Sequence, residues 1–223
     1  MDRILEYYFN PKILAMALPD VLAGFRVTVV VSLLVIAVGV LSGLLLALVR
    51  CANIKPLNAV IVVYVDILRT LPQLVVIVFI YFGLPYLGLT LSPFVTTVLS
   101  LGMVLSAFST EIFWSAIMAV PRGQWDAASA LGFGRARTLV SIILPQAIRL
   151  AVPLLTNRAI SISKGTALGT AVSLPETLGQ AQSVTAIVAN PSPLTLAAAF
   201  YLLFFLPLVV ASRWLEHRHS RGR

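Results

Sequence analysis

Residues 125–145 read WDAASALGFGRARTLVSIILP, and this stretch from Trp125 to Pro145 decides how the rest of the chain is read. It interrupts a long apolar sequence and is entered through the break Val120-Pro121-Arg122-Gly123. Its spacing predicts a short helix with an end signal. Asp126 is expected in the first turn, where a carboxylate meets the positive end of the helix dipole. Ala127, Ala128 and Leu131 share one face, since they lie three and four residues apart. Gly132 stands where a helix C-terminus calls for positive φ. A small-residue face flanked by Arg122, Arg135 and Arg137 is smooth enough to lie in a groove on another protein. An ordinary connector between two spans is the plainer alternative.

The surroundings of this stretch are apolar. Of 223 residues, 59% are hydrophobic and 11% charged, where a soluble domain carries about 25% charged residues. The chain therefore reads as an integral membrane protein, with one domain over residues 1–223. The net charge of +8 gathers at helix ends and in the tail. That placement suits a positive-inside bias and anionic headgroups of membrane lipid better than nucleic acid. Cys51 has no second cysteine to pair with, and the two histidines, His217 and His219, both lie in the polar tail. No metal site and no histidine-based catalytic site is expected. The first twenty residues carry acidic side chains and lack a signal-peptide layout, so they read as an amphipathic lead-in.

Hydropathy divides the remainder into five spans, at about 21–49, 57–82, 93–120, 139–163 and 194–212, with the loop at about 121–138 between the third and fourth. Each approaches or exceeds the roughly 20 residues that a bilayer requires. In the first span Gly39, Gly43 and Ala47 recur at every fourth residue, a stripe suited to close helix contact. Basic residues mark one side of the membrane: Arg50 and Lys55 in the first turn, Arg122, Arg135 and Arg137 in the loop, and Arg218, Arg221 and Arg223 in the tail. With five spans this bias puts the N-terminus outside and the C-terminus inside.

Charges within the spans are costly unless paired, so Asp66, Arg69 and Glu111 must face protein or water. Asp66 and Arg69 stand three residues apart on one helix. Glu111, about 15 Å from the end of its span at 1.5 Å per residue, is a second partner for Arg69 at similar depth. Pro72 permits a kink in the second span. The fourth span carries Pro145, Arg149, Pro153, Asn157 and Arg158 and is the most polar, so it belongs among other helices. Residues 175–182 read as a short amphipathic helix, and Asn190-Pro191-Ser192-Pro193 is a break.

Three motifs carry a resemblance to a known family. Asp126-Ala127-Ala128, Gly132 and Ile142-x-Leu144-Pro145 resemble the EAA loop of ABC-importer permeases, with Asp in place of the usual Glu. Tyr64-Val-Asp66-Ile-Leu-Arg69-Thr-Leu-Pro72 is similar to the signature of polar amino-acid permeases, and its Arg-Thr-Leu-Pro looks more like subunits that handle basic amino acids or opines. Lys164-Gly165-Thr166-Ala167-Leu168 resembles the family's Lys-Asp/Ser-Thr-Ser/Ala-Leu motif, with Gly165 at the variable site. At the position where the family commonly has an arginine three residues after Glu111, this chain has Trp114.

The resemblance implies an all-α, five-span, type I (MetI-like) permease in the bacterial plasma membrane. It implies that Asp126, Ala127, Ala128, Leu131 and Gly132 form a coupling helix docked on a separate ABC ATPase subunit. Two ATPase copies, a second permease subunit (identical or paralogous) and an external amino-acid-binding protein complete the assembly. Arg69, Glu111, Asn157, Lys164 and Thr166 are the candidates for the substrate path. No cofactor is expected in this chain, with MgATP in the partner ATPase. The sequence has no G-x-x-x-x-G-K-[S/T], so the chain is not expected to be the ATPase or an enzyme by itself. The competing reading is a stand-alone membrane scaffold with a generic docking loop.

Overall fold

The structure, a computed structural model, describes residues 2–220, with side chains described from Arg3 to Trp214. Arg221 and Arg223 of the basic tail lie outside the described residues, and Arg218, His217 and His219 are described in backbone only. The protein is helical throughout these residues. α1 (Asp2–Tyr8) leads into α2 (Pro11–Arg50), and α3 (Lys55–Thr70) and α4 (Gln73–Gly83) follow. Beyond them come α5 (Pro93–Ala119), α6 (Arg122–Ala130) and α7 (Arg135–Thr138). A π-helical turn over Leu139–Ile143 joins α7 to α8 (Leu144–Ser163), which tightens into a 3₁₀ stretch over Lys164–Val172. α9 (Thr177–Val188) and α10 (Ser192–Ser220) complete the chain.

Four helical stretches are long and apolar enough to cross a membrane: Arg3–Arg50, Pro93–Ala119, Arg135–Val172 and Ser192–Trp214. A fifth span exists only if α3 and the stretch Gln73–Leu87 count as one, and the two are bent by 109°. The second span read from hydropathy is thus two helices, parted at the Pro72 position where the sequence permitted a kink. Leu71, which precedes a proline, is extended at ψ 137°, because the ring of Pro72 disfavours the helical conformation there. The lead-in is also different from its sequence reading. Asn10 accepts bonds from the amides of Lys12 and Ile13, and the capped helix runs 40 residues without a break, about 60 Å at 1.5 Å per residue.

α2 is the spine of the fold. Its buried positions Ala17, Val21, Gly24, Thr28, Val31, Val35, Gly39, Gly43 and Ala47 step by three and four, one face of an α-helix. That face joins all three apolar clusters: Ala17 and Val21 meet Ala181 and Val184, Val31 and Val35 meet Leu101 and Leu105, and Ala47 meets Phe113 and Ile143. The stripe Gly39-Gly43-Ala47 lies on α5. A Cβ at Gly39 would stand 2.6 Å from Cβ of Leu105, and one at Gly43 would stand 2.4 Å from Cβ of Ser109. These pairings run parallel, and only residues without a side chain allow the two backbones this approach.

The π-helical turn has a local cause. Pro145 offers no N–H to the carbonyl one turn back and its ring crowds that carbonyl, so the preceding turn widens to Leu139–Ile143 and the helix continues.

Candidate functional site

The first candidate is the hairpin after α5. Val120, ahead of Pro121, is extended at ψ 129° and ends α5, and α6 begins at Arg122 directly after the proline. Asp126 is therefore not in the first turn of the helix as the spacing predicted. The first turn of α6 holds no acidic residue, so Asp126 owes nothing to the helix dipole. Gly132 has φ +78°, as its position required. The amide of Phe133 bonds the carbonyl of Ala128 at 3.0 Å and that of Gly132 bonds Ser129 at 2.9 Å, the paired pattern of a Schellman end. Arg137 stacks 4.9 Å over Phe133.

The faces of α6 divide differently from the sequence reading. Ala128 is only 2% exposed, on the side that closes on the π-helical turn. It belongs to the inner face, while Asp126, Ala127, Leu131 and Gly132 remain exposed. Trp125 is half-buried against the cluster of Phe113, Val120, Ile143 and Ala147. Gln146 donates to Gln124 at 3.3 Å, tying α6 to α8. Leu131 stands 76% exposed at the tip.

The second candidate is the set of charges around α5. Arg69 pairs with neither carboxylate proposed for it. Glu111 accepts from Arg50 at 3.1 Å, and Arg50 lies 4.4 Å over the ring of Trp114. Because α2 and α5 run parallel, Arg50 reaches back toward the N-terminal side, the direction in which helical side chains lean. Trp114, at the family's arginine position, thus receives a cation from another helix. Arg69 lies 5.4 Å over Phe108, and Arg158 of α8 lies 4.1 Å over the same ring. Arg69 packs on Phe108, one turn from Glu111 on α5, so it lies near the level read for it and only its partner differs.

The remaining path candidates separate. Asn157 and Arg158 line a cavity of about 420 Å³ with Ile112, Leu154 and Ser161. Lys164 is exposed and lines a different, apolar cavity of about 470 Å³ with Tyr201 and Phe205. Thr166 is fully buried and lines neither. A Cβ at Gly165 would meet Oε1 of Gln73 at 2.1 Å, so the side chain of Gln73 occupies the space where the related motif carries Asp or Ser.

Taken together, the described residues hold four helices long and apolar enough to cross a membrane and one bent pair, a small-residue seam, and a hairpin bearing Asp126-Ala127-Ala128 and Gly132. The family model described as the binding-protein-dependent transport system inner membrane component matches residues 39–221. The chain belongs to that family. This permease is 34% identical to a probable amino-acid ABC transporter permease, YckA, of Bacillus subtilis (strain 168), over 80% of this chain and 79% of the relative. It is 32% identical to the glutamine transport system permease GlnP of Escherichia coli (strain K12), over 91% of this chain and 94% of that one. The crystal structure of an amino acid ABC transporter with histidines superposes with a TM-score of 0.83 at 30% identity, covering 92% of this chain and 96% of that chain. The MetNI methionine ABC transporter shares the fold, with a TM-score of 0.60 at 18% identity over 96% and 97% of the two chains. The type I permease fold read from the motifs is the fold of this chain, and the scaffold reading is not favoured.

Sequence reasoning missed Glu176. The helix read at 175–182 is α9, which starts at Thr177 with Glu176 as its cap and runs on to Val188. The carboxylate accepts from the amide of Gly179 at 2.9 Å and from Thr28 at 3.1 Å, and Tyr201 donates to it as well. Glu176 is fully buried, and burial pushes its carboxyl above the usual carboxylate range against the pull of these bonds. The only sequence signal was a glutamate three residues before a glycine, too common a pattern to single out.

Proposed function

We propose that this permease forms half of the translocation path of an ATP-driven importer and takes up a polar L-amino acid or an opine. It pairs with a second permease subunit, identical or paralogous, and receives cargo from an external binding protein. ATP hydrolysis belongs to two separate ATPase subunits that hold the MgATP, and this chain carries out no covalent step. The basic turns favour the bacterial plasma membrane, with the N-terminus outside and α6 and the C-terminus in the cytoplasm.

The observation that carries this reading is the exposed tip of α6. Leu131, 76% exposed, follows a helix fixed to the bundle through Trp125 and Gln124. A large apolar side chain held rigidly outside the spans, beside Asp126 and Ala127, suits a groove on a partner. When the ATPase pair closes on ATP, a helix fixed in this way transmits the movement to α5 and α8, and the spans rock between two packed states.

Co-expression of the permease with candidate ABC ATPase subunits of the same organism tests the assembly. One of them should co-purify with it, and a single cysteine at Gln124 should react with a membrane-impermeant thiol reagent only in inverted vesicles. Labelling of that cysteine in intact cells would contradict the orientation.

A further inference from the structure

Phe108 lies near the middle of α5, and two guanidinium groups from two other helices converge on its ring. Arg69 approaches from α3 at 5.4 Å and Arg158 from α8 at 4.1 Å. Neither has a carboxylate within ion-pair distance among the described residues, where the one salt bridge is Arg50–Glu111. Asp66, one turn before Arg69, is exposed and does not neutralise it. An aromatic face holds a cation by its quadrupole, yet it accepts none of the in-plane N–H bonds that a guanidinium donates to a carboxylate. Both arginines are exposed beside Phe108, so each guanidinium is open to an anion from outside the bundle, and within a span it is costly without one. Arg158 opens directly onto the cavity of about 420 Å³ that Asn157 and Ser161 also line.

We propose that Arg69 and Arg158, held together by Phe108, form a specificity-determining clamp for carboxylates of the cargo. The clamp favours an amino acid with a second carboxylate, either an acidic amino acid or an N-carboxyalkyl derivative of the opine type, over a plain basic amino acid. This inference rests on the permease reading and narrows its cargo: a second carboxylate meets the second guanidinium, whereas a cargo with one carboxylate leaves that guanidinium without an anion.

The test is equilibrium binding to the purified permease–ATPase complex in detergent, without the binding protein, so that only the membrane site is read. Two matched pairs of probes isolate the second carboxylate: L-glutamate against L-glutamine, and N-carboxyethyl-L-arginine against L-arginine. In at least one pair the dicarboxylate should bind about ten- to a hundredfold more tightly, the range of one hydrogen-bonded charge pair. Arg158→Gln and Arg69→Gln should each abolish that ratio, Arg158→Lys should retain part of it, and Phe108→Leu should weaken it. The thermal midpoint of each unliganded variant identifies variants that do not fold. Equal binding within both pairs, no binding at millimolar probe, or a ratio that survives in folded Arg158→Gln would overturn the clamp. An ATPase that does not co-purify would instead count against the permease reading.

Discussion

The α2–α5 seam and the α6 hairpin both depend on small residues, and they use them for opposite ends. At the seam, Gly39 and Gly43 let two backbones meet inside one chain, with Leu105 and Ser109 filling all the space a side chain would need. At the hairpin, a Cβ on Gly132 would meet nothing within 4 Å. Gly132 is there for its φ of +78° and for the surface left free beside Leu131. The seam is finished within the subunit, whereas the hairpin leaves an exposed surface around Gly132 and Leu131. A small-residue pattern in a membrane protein therefore states only that something comes close, and burial shows whether that something is the same chain.

The largest effect that could break this contrast comes from the seam. Gly43→Leu should cost about 3 kcal/mol or more by overpacking and leave little folded subunit in detergent. A thermal midpoint near wild type would mean that the two helices can part without loss. Gly132→Arg should cost about 1–2 kcal/mol in local backbone strain and keep the subunit folded, while ATPase attachment or coupling of hydrolysis to uptake fails. Transport and hydrolysis measured on the same reconstituted complex decide it, and full coupled activity would refute the docking role of the hairpin. Ala128→Arg is the sharpening variant. Because Ala128 is buried in its own chain, it should lower the stability of the hairpin as well as ATPase attachment.

Smaller effects follow from charge. Burial raises the carboxyl of Glu176, so the folded state keeps its proton to higher pH than the unfolded chain does. Stability should fall as pH rises from the ordinary carboxylate range through the raised value, because the unfolded state releases the proton first. Glu176→Gln should flatten that part of the profile in thermal melts taken across pH. An unchanged slope would place the titrating group elsewhere. Asp126→Glu should leave stability within about 0.5 kcal/mol of wild type, as surface changes usually do, and should leave ATPase co-purification intact. Asp126 is exposed and away from the helix start, so a longer carboxylate disturbs no internal contact.

Local chemistry in the sequence was enough for several features. The apolar segments, the stripe on α2 and the end of α6 at Gly132 follow from hydropathy, period and φ preference, which act over one or two helical turns. Pairings across helices were not legible. Glu111 went to Arg50 and not to Arg69 because α2 packs along α5 and brings Arg50 to the carboxylate, and a residue count within one span carries no such packing. The same applies to Arg158 over Phe108, and to Glu176 held by Thr28 and Tyr201 from elements far away in sequence.

The sequence by itself determined that this is a helical membrane protein with a loop that ends a short helix at Gly132, because the cost of burying polar backbone in lipid and the preference of glycine for positive φ are local and strong, and its motifs carried the resemblance to a permease. Only the tertiary structure decided which face of α6 is free, which cation holds Glu111 and which two arginines share Phe108. Those outcomes depend on helix directions and side-chain reach, and both are set by the packing of the whole bundle on α2.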